Sequence, residues 1–310
     1  MIQPPPLVAQ RLAALGERGA AWLADLPDLM AGVAERWDLT YGEVFSGGTA
    51  AVVVAARRLT DGLDCVVKAF VPEPYDERGF ERSVLTHELA GGRGCVAMLD
   101  HDPVRRVMLL ERLGPDLGAL GRTVPEILEA VSATLLEFWR PVPADAALPD
   151  GVYATQWLAA FITTTWEQLG QPCDRLVIDR AVAYCDERAA AYDPATAVLV
   201  HGDAHGWNTL TVPSCAGRYK FVDPEGLRSE RARDLGIEKV DLDSFDLVVT
   251  LSLEAGRYLP QLADPSRHRH CPVADPMAFA GTPEETRADF RRGRDEIRAI
   301  VAAIAAGAQS

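Results

Sequence analysis

The stretch from Leu199 to Gly226, LVHGDAHGWNTLTVPSCAGRYKFVDPEG, constrains this chain more than any other. A short apolar run ends at His201-Gly202-Asp203, Asn208 follows five residues after that Asp, and the apolar pair Phe221-Val222 delivers Asp223 to a strand end. Phosphoryl transfer needs such a set: a carboxylate to take a hydroxyl proton, then an amide oxygen and a second carboxylate to hold Mg²⁺ against phosphates. A rival reading uses the alternation of His201, Asp203 and His205, which on a strand would share a face and could ligate the metal of a metallohydrolase. Gly202 and Gly206 favour a loop instead, and no distant Cys/His cluster completes a zinc site. An Asp/Asn-rich turn between two strands is the bland alternative. Asn208 and Asp223 at matching offsets weigh against it.

At these residues the chain resembles the aminoglycoside phosphotransferases, antibiotic kinases whose motif is His-Gly-Asp-x-x-x-x-Asn followed by a strand and an Asp. Asp223-Pro224-Glu225 is most similar to the streptomycin 6-phosphotransferase branch, which includes hydroxyurea-resistance kinases. So are Ala21–Pro27 with Arg36–Leu39, Leu99–Asp102, and Met108–Leu113. The resemblance implies an α+β, protein-kinase-like fold of two lobes: residues 1–113, an antiparallel sheet with added N-terminal helices, and residues 114–310, mostly helical. It implies an ATP- and Mg²⁺-dependent phosphotransferase acting on an alcohol group, with Asp203 as catalytic base and Asn208 and Asp223 as metal ligands. By the same likeness Asp234 would brace the catalytic loop.

Composition limits the partners. A net charge of −14 disfavours nucleic acid, whose phosphates it would repel, and favours a cationic small substrate. The opening MIQPPPLVAQ lacks the layout of a signal peptide, and no run approaches 18 uninterrupted apolar residues. The six cysteines are scattered without a Cys-x-x-Cys and read as reduced thiols, so a cytoplasmic protein is expected.

The period from Leu7 to Trp37 is helical, with Pro27 expected to start a second helix. Three strands should follow, Tyr41–Phe45, Ala50–Arg58 and Leu63–Phe70. Between the first two, Gly47-Gly48 would let backbone N–H groups approach phosphates. Lys68 stands inside an apolar strand, where an unpaired charge is costly, and kinases place their phosphate-binding Lys there. Its acidic partner should come from the next helix, Glu81 in preference to Glu88. Strands at Val96–His101 and Arg106–Leu110 lead to a connector where, as the resemblance implies, the backbone of Glu111 and Leu113 would pair with adenine. Helices are expected at Val124–Trp139, Val152–Leu169, Asp174–Tyr192 and Pro283–Ala306, with Trp157, Phe161 and Trp166 in the core. Glu225, Glu230 and Asp241, with Asp243 and Asp246, are candidates for contacting a cationic acceptor. A kinase for another metabolite alcohol would share every catalytic residue, and a nucleotide-binding pseudokinase would share most. The full set Lys68, Asp203, Asn208 and Asp223 speaks for catalysis.

Overall fold

The structure is a computed structural model that describes residues 2–46, 48, 50–72, 78–171, 173–234, 247–251, 264–274 and 283–307. It divides into two compact units, Met1–Asp234 and Leu235–Ser310.

The first unit opens with α1 (Pro6–Ala14) and α2 (Glu17–Trp37). Pro6 occupies the first turn of α1, where its missing N–H needs no partner. The expected break at Pro27 is absent, because Pro27 lies inside α2, and the chain turns instead at Leu15-Gly16, with Gly16 at φ +57°. Leu26, Met30, Val33 and Trp37 form one buried stripe running past the proline. Packing along that stripe outweighs the one helical hydrogen bond that proline removes.

A five-stranded antiparallel sheet follows: β1 (Leu39–Val44), β2 (Ala51–Arg58), β3 (Asp64–Phe70), β4 (Met98–Asp102) and β5 (Val107–Glu111), in the order β1-β2-β3-β5-β4. Helix α3 (Gly79–Ala90) connects β3 to β4. Cys65, Val67, Ala69, Val107 and Leu109 face a core shared with α1 and α2. Val66, Phe70, Met108 and Leu110 face a second core shared with Phe80 and Val84 of α3. The central strands are covered on both faces, so they read as continuous apolar runs instead of alternating. Lys68, between Val67 and Ala69 in sequence, therefore projects into the second core.

The second core continues through Val131, Leu135 and Phe138 of α4 (Val124–Phe138) to Leu199 and Phe221. The Glu126 carboxylate accepts the Thr123 N–H at 2.8 Å and starts α4. Asp150 caps α5 (Gly151–Gln168) and Asp174 caps α6 (Arg175–Ala190) by accepting the N–H groups of Tyr153 and Leu176. Trp166 is buried as expected, but Trp157 and Phe161 are not: they stack at 5.3 Å on an exposed face of α5, each about half-exposed.

Two short antiparallel pairs complete this unit, β6 (Val198–Val200) with β9 (Leu227–Ser229), and β7 (Thr209–Thr211) with β8 (Tyr219–Phe221). In the second unit β10 (Val248–Thr250) pairs in parallel with β11 (His268–His270), and α7 (Pro283–Gly307) ends the described chain. The Thr282 cap expected for α7 lies outside the described residues. No described helix is long and apolar enough to cross a membrane.

Candidate active site

The His201–Asn208 segment links β6 to β7, and Val222–Gly226 links β8 to β9. The two segments are laced together: Val222 N donates to Asn208 O at 2.9 Å and Glu225 N to His201 O at 2.8 Å. The residues from His201 to His205 are a loop, as the glycines foretell. The His201 ring is fully buried, its Nε2 2.9 Å from Val222 O and its Nδ1 accepting the Asp203 N–H at 3.2 Å. A carbonyl can only accept, so the proton sits on Nε2. Burial pushes the imidazole pKa down and keeps it neutral. With both nitrogens used inside the fold, His201 offers no ligand to a zinc ion, which removes the metallohydrolase arrangement.

Asp234 anchors the same loop. Its carboxylate accepts the N–H groups of His201 at 2.8 Å and Gly202 at 2.6 Å, and the Trp139 indole N–H at 2.8 Å. Gly202 has φ +87°, a conformation that side chains with a Cβ rarely adopt, and a Cβ there would also crowd the Glu225 side chain.

On this frame Asp203 and Asn208 converge. Asn208 Nδ2 donates to Asp203 O and Oδ2, each at 3.0 Å. That orientation turns the Asn208 amide oxygen away from Asp203, where it is able to meet a cation. Asp223 stands at φ +57°, a left-handed conformation made more costly by the proline that follows it. Lys68 Nζ crosses 155 residues of sequence to reach Asp223 Oδ1 at 2.5 Å. The amine is almost buried and lies 4.9 Å from the Phe70 ring centre. The Lys68 ammonium holds the pKa of the half-exposed Asp223 carboxyl below the ordinary carboxylate range. Asp223 and Asn208 present an oxygen-only donor set, which fits a hard cation such as Mg²⁺.

Other sequence candidates are placed differently. Gly48, at φ +86°, borders open space, while Gly47 lies outside the described residues. Glu81 is exposed, its carboxylate 4.0 Å from Arg106, and Lys68 pairs with Asp223 instead. Glu88 is also exposed. Glu111 fastens β5: its N–H donates to Ala97 O at 2.9 Å and its carboxylate takes the Ala97 N–H and the Lys220 ammonium. No described residue bonds the Leu113 backbone, which remains available to a ligand. Glu225 lies over Gly202, and burial together with nearby Asp203 raises its pKa against the pull of Arg233. Glu230 is committed elsewhere, to Arg188 at 2.5 Å, the Asp193 N–H and the Ser229 hydroxyl. Asp241, Asp243 and Asp246 lie outside the described residues.

Two further residues support the site. Trp139, just past the end of α4, steadies Asp234 through its indole N–H. His87, on the inward face of α3, is 2% exposed, and between Thr86 and Glu88 nothing in the sequence marks it.

The antiparallel small sheet, its buried strand lysine and the two laced loops are the architecture of a protein-kinase-like phosphotransferase. No family model matches the chain. Over 232 residues it is 30% identical to a streptomycin 6-kinase of Streptomyces glaucescens, covering 75% of this chain and 72% of that one. It is 28% identical over 258 residues to a streptomycin 6-kinase of Streptomyces griseus, covering 78% and 81%. A hydroxyurea phosphotransferase of Kitasatospora aureofaciens is 32% identical over 243 residues, covering 75% and 66%. Among solved structures, a macrolide 2'-phosphotransferase of Brachybacterium faecium aligns at a TM-score of 0.43 and 18% identity, covering 68% of this chain and 75% of that one. The chain belongs to the aminoglycoside phosphotransferase family.

Proposed function

We propose that the chain transfers the γ-phosphoryl group of ATP, with Mg²⁺, to a hydroxyl of a cationic, streptomycin-like antibiotic. The observation that carries this reading is the meeting of Lys68 with Asp223, beside a loop that couples Asp203 to Asn208. In this reading residue 113 divides a smaller nucleotide-covering lobe from a larger one holding the acceptor.

Lys68 binds the phosphates, and Gly47-Gly48 brings backbone N–H groups over them. The backbone at Glu111 and Leu113 receives adenine. Asn208 and Asp223 would hold Mg²⁺, which when bound neutralises charge that develops on the phosphate oxygens. Asp203 has one carboxylate oxygen engaged by Asn208, and the other orients the acceptor hydroxyl and takes its proton as the oxygen attacks in line. The Asp234 carboxylate keeps that loop at its station through two backbone N–H groups. Glu225 lies next to Asp203 in charge and space, and supplies a negative group for a cationic acceptor.

The test incubates the protein and Mg-ATP with a panel of aminocyclitol antibiotics, hydroxyurea and metabolite alcohols, and reads each product by mass spectrometry. The expected result is a phosphate added to a streptomycin-type compound and lost in Asp203→Ala. Phosphate on a neutral sugar or a choline-like alcohol alone would reassign the acceptor. No phosphorylated product would remove the proposal.

A further inference from the structure

In phosphoryl-transfer enzymes with a strand lysine, an acidic side chain from the neighbouring helix pairs with the amine and holds it toward the phosphates. Helix α3 offers Lys68 no such group, since Glu81 and Glu88 are both exposed and Glu81 faces Arg106. His87 occupies the inward face of that helix instead. Its Nδ1 lies 2.7 Å from Ser83 O, a pure acceptor, so Nδ1 carries the ring hydrogen and Nε2 is a bare lone pair. That Nε2 is buried and has no hydrogen-bond partner among the described residues. A buried acceptor without a donor is rare in folded proteins and asks for one.

The fold says where the donor lies. Lys68 and Met108 are direct partners across β3 and β5, so their side chains leave the sheet on the same face. The Met108 sulfur takes the Ser83 hydroxyl at 3.7 Å, which sets α3 on that face. One turn further along α3 stands His87. The adjoining Arg82 and Thr86 reach the other side of the site: Arg82 Nε donates to Glu225 O at 2.9 Å, and a Cβ on Gly226 would lie 2.1 Å from Thr86 Oγ1. His87 thus sits where α3 passes between the sheet face bearing Lys68 and the segment bearing Asp223. Its ring feels the charges of Lys68, Asp223 and His201.

We propose that His87 is the positioning residue for Lys68, its Nε2 accepting an ammonium N–H when Asp223 turns to a metal-bound nucleotide. A neutral acceptor fixes the amine without cancelling its charge, leaving Lys68 fully cationic toward the phosphates. This inference rests on the reading of Lys68 and Asp223 as a nucleotide site.

The test compares wild type with His87→Phe, which fills the ring's space without an acceptor, and His87→Gln, which restores an acceptor oxygen. The expected result is a kcat lowered roughly tenfold in His87→Phe with the acceptor KM held, and largely recovered in His87→Gln. Equal turnover in all three, or no recovery with Gln, overturns the inference. If His87→Phe fails to fold, ¹⁵N spectra of the wild-type histidines with a non-hydrolysable Mg-ATP analogue decide. The His87 Nε2 signal should move as it gains a hydrogen bond, and an unmoved signal overturns the inference. Should wild type neither bind nor turn over nucleotide, the underlying site reading fails and takes this inference with it. Activity in wild type with unaltered variants defeats the role of His87 alone.

Discussion

Burial pushes the His87 imidazole from its ordinary 6.5 down to about 4. The unfolded chain therefore takes up a proton near pH 6.5 that the folded chain refuses until about pH 4. Stability contributed by the neutral ring is complete above pH 6.5 and lost as the pH falls through that window, by about 3 kcal/mol in all. Asp223 acts lower down: Lys68 depresses its pKa, so its contribution holds above the ordinary carboxylate range and disappears only on further acidification. Urea denaturation between pH 7 and pH 5 should show wild-type stability falling, and His87→Phe should fall less steeply. Parallel slopes would mean that the ring is not excluded from protonation. His87 was not legible in the sequence, because one histidine in a helix acquires meaning only when burial is known. The offsets of Asp203, Asn208 and Asp223 are different in kind, since they follow from the loop and hairpin that carry them: Asn208 reaches Asp203 and Lys68 reaches Asp223.

Helix ends show how elements of the first unit are joined. The Arg140 guanidinium donates to the carbonyls of Leu89, Ala90 and Arg93 at the end of α3, and to Glu137 and Phe138 at the end of α4. Carbonyls at a helix end lack following helical N–H groups, although Ala90 O also accepts the Arg93 N–H at 3.1 Å, and a cation at a helix C-terminus is favourable. Gly94 lies in the same junction, at φ +61°, where a Cβ would fall 2.6 Å from Phe138 N. Arg140→Ala should cost about 2–4 kcal/mol in chemical denaturation, because several half-buried carbonyls lose their donor together. A change below about 0.5 kcal/mol, the range of an ordinary surface substitution, would show that water replaces the guanidinium. Sequence patterning located α4, α5 and α6 closely, since each carries a 3.6-residue period and a capping aspartate or glutamate. It misplaced the break in the first helical segment, because the proline signal is local and the buried stripe that overrides it is tertiary. The continuous apolar runs of β3 and β5 identified strands, but not that α1 and α2 cover one face while α3 covers the other.

At the scale of the whole molecule, the charge of −14 should draw a cationic acceptor toward the protein over distances near the Debye length. Raising ionic strength from about 0.05 to 0.5 M should lower kcat/KM for a polycationic acceptor several-fold and leave a neutral acceptor nearly unchanged. Equal salt response for both would confine the acidity to solubility. If Lys68, Asn208 and Asp223 form a single metal–nucleotide site, titration of ATP with and without Mg²⁺ into wild type and Asp223→Asn will show it. Mg²⁺ should strengthen ATP binding to wild type by at least about tenfold, roughly 1.4 kcal/mol, and Asp223→Asn should remove this gain. Binding that ignores Mg²⁺ in wild type, or a Mg²⁺ gain that survives in Asp223→Asn, would contradict it.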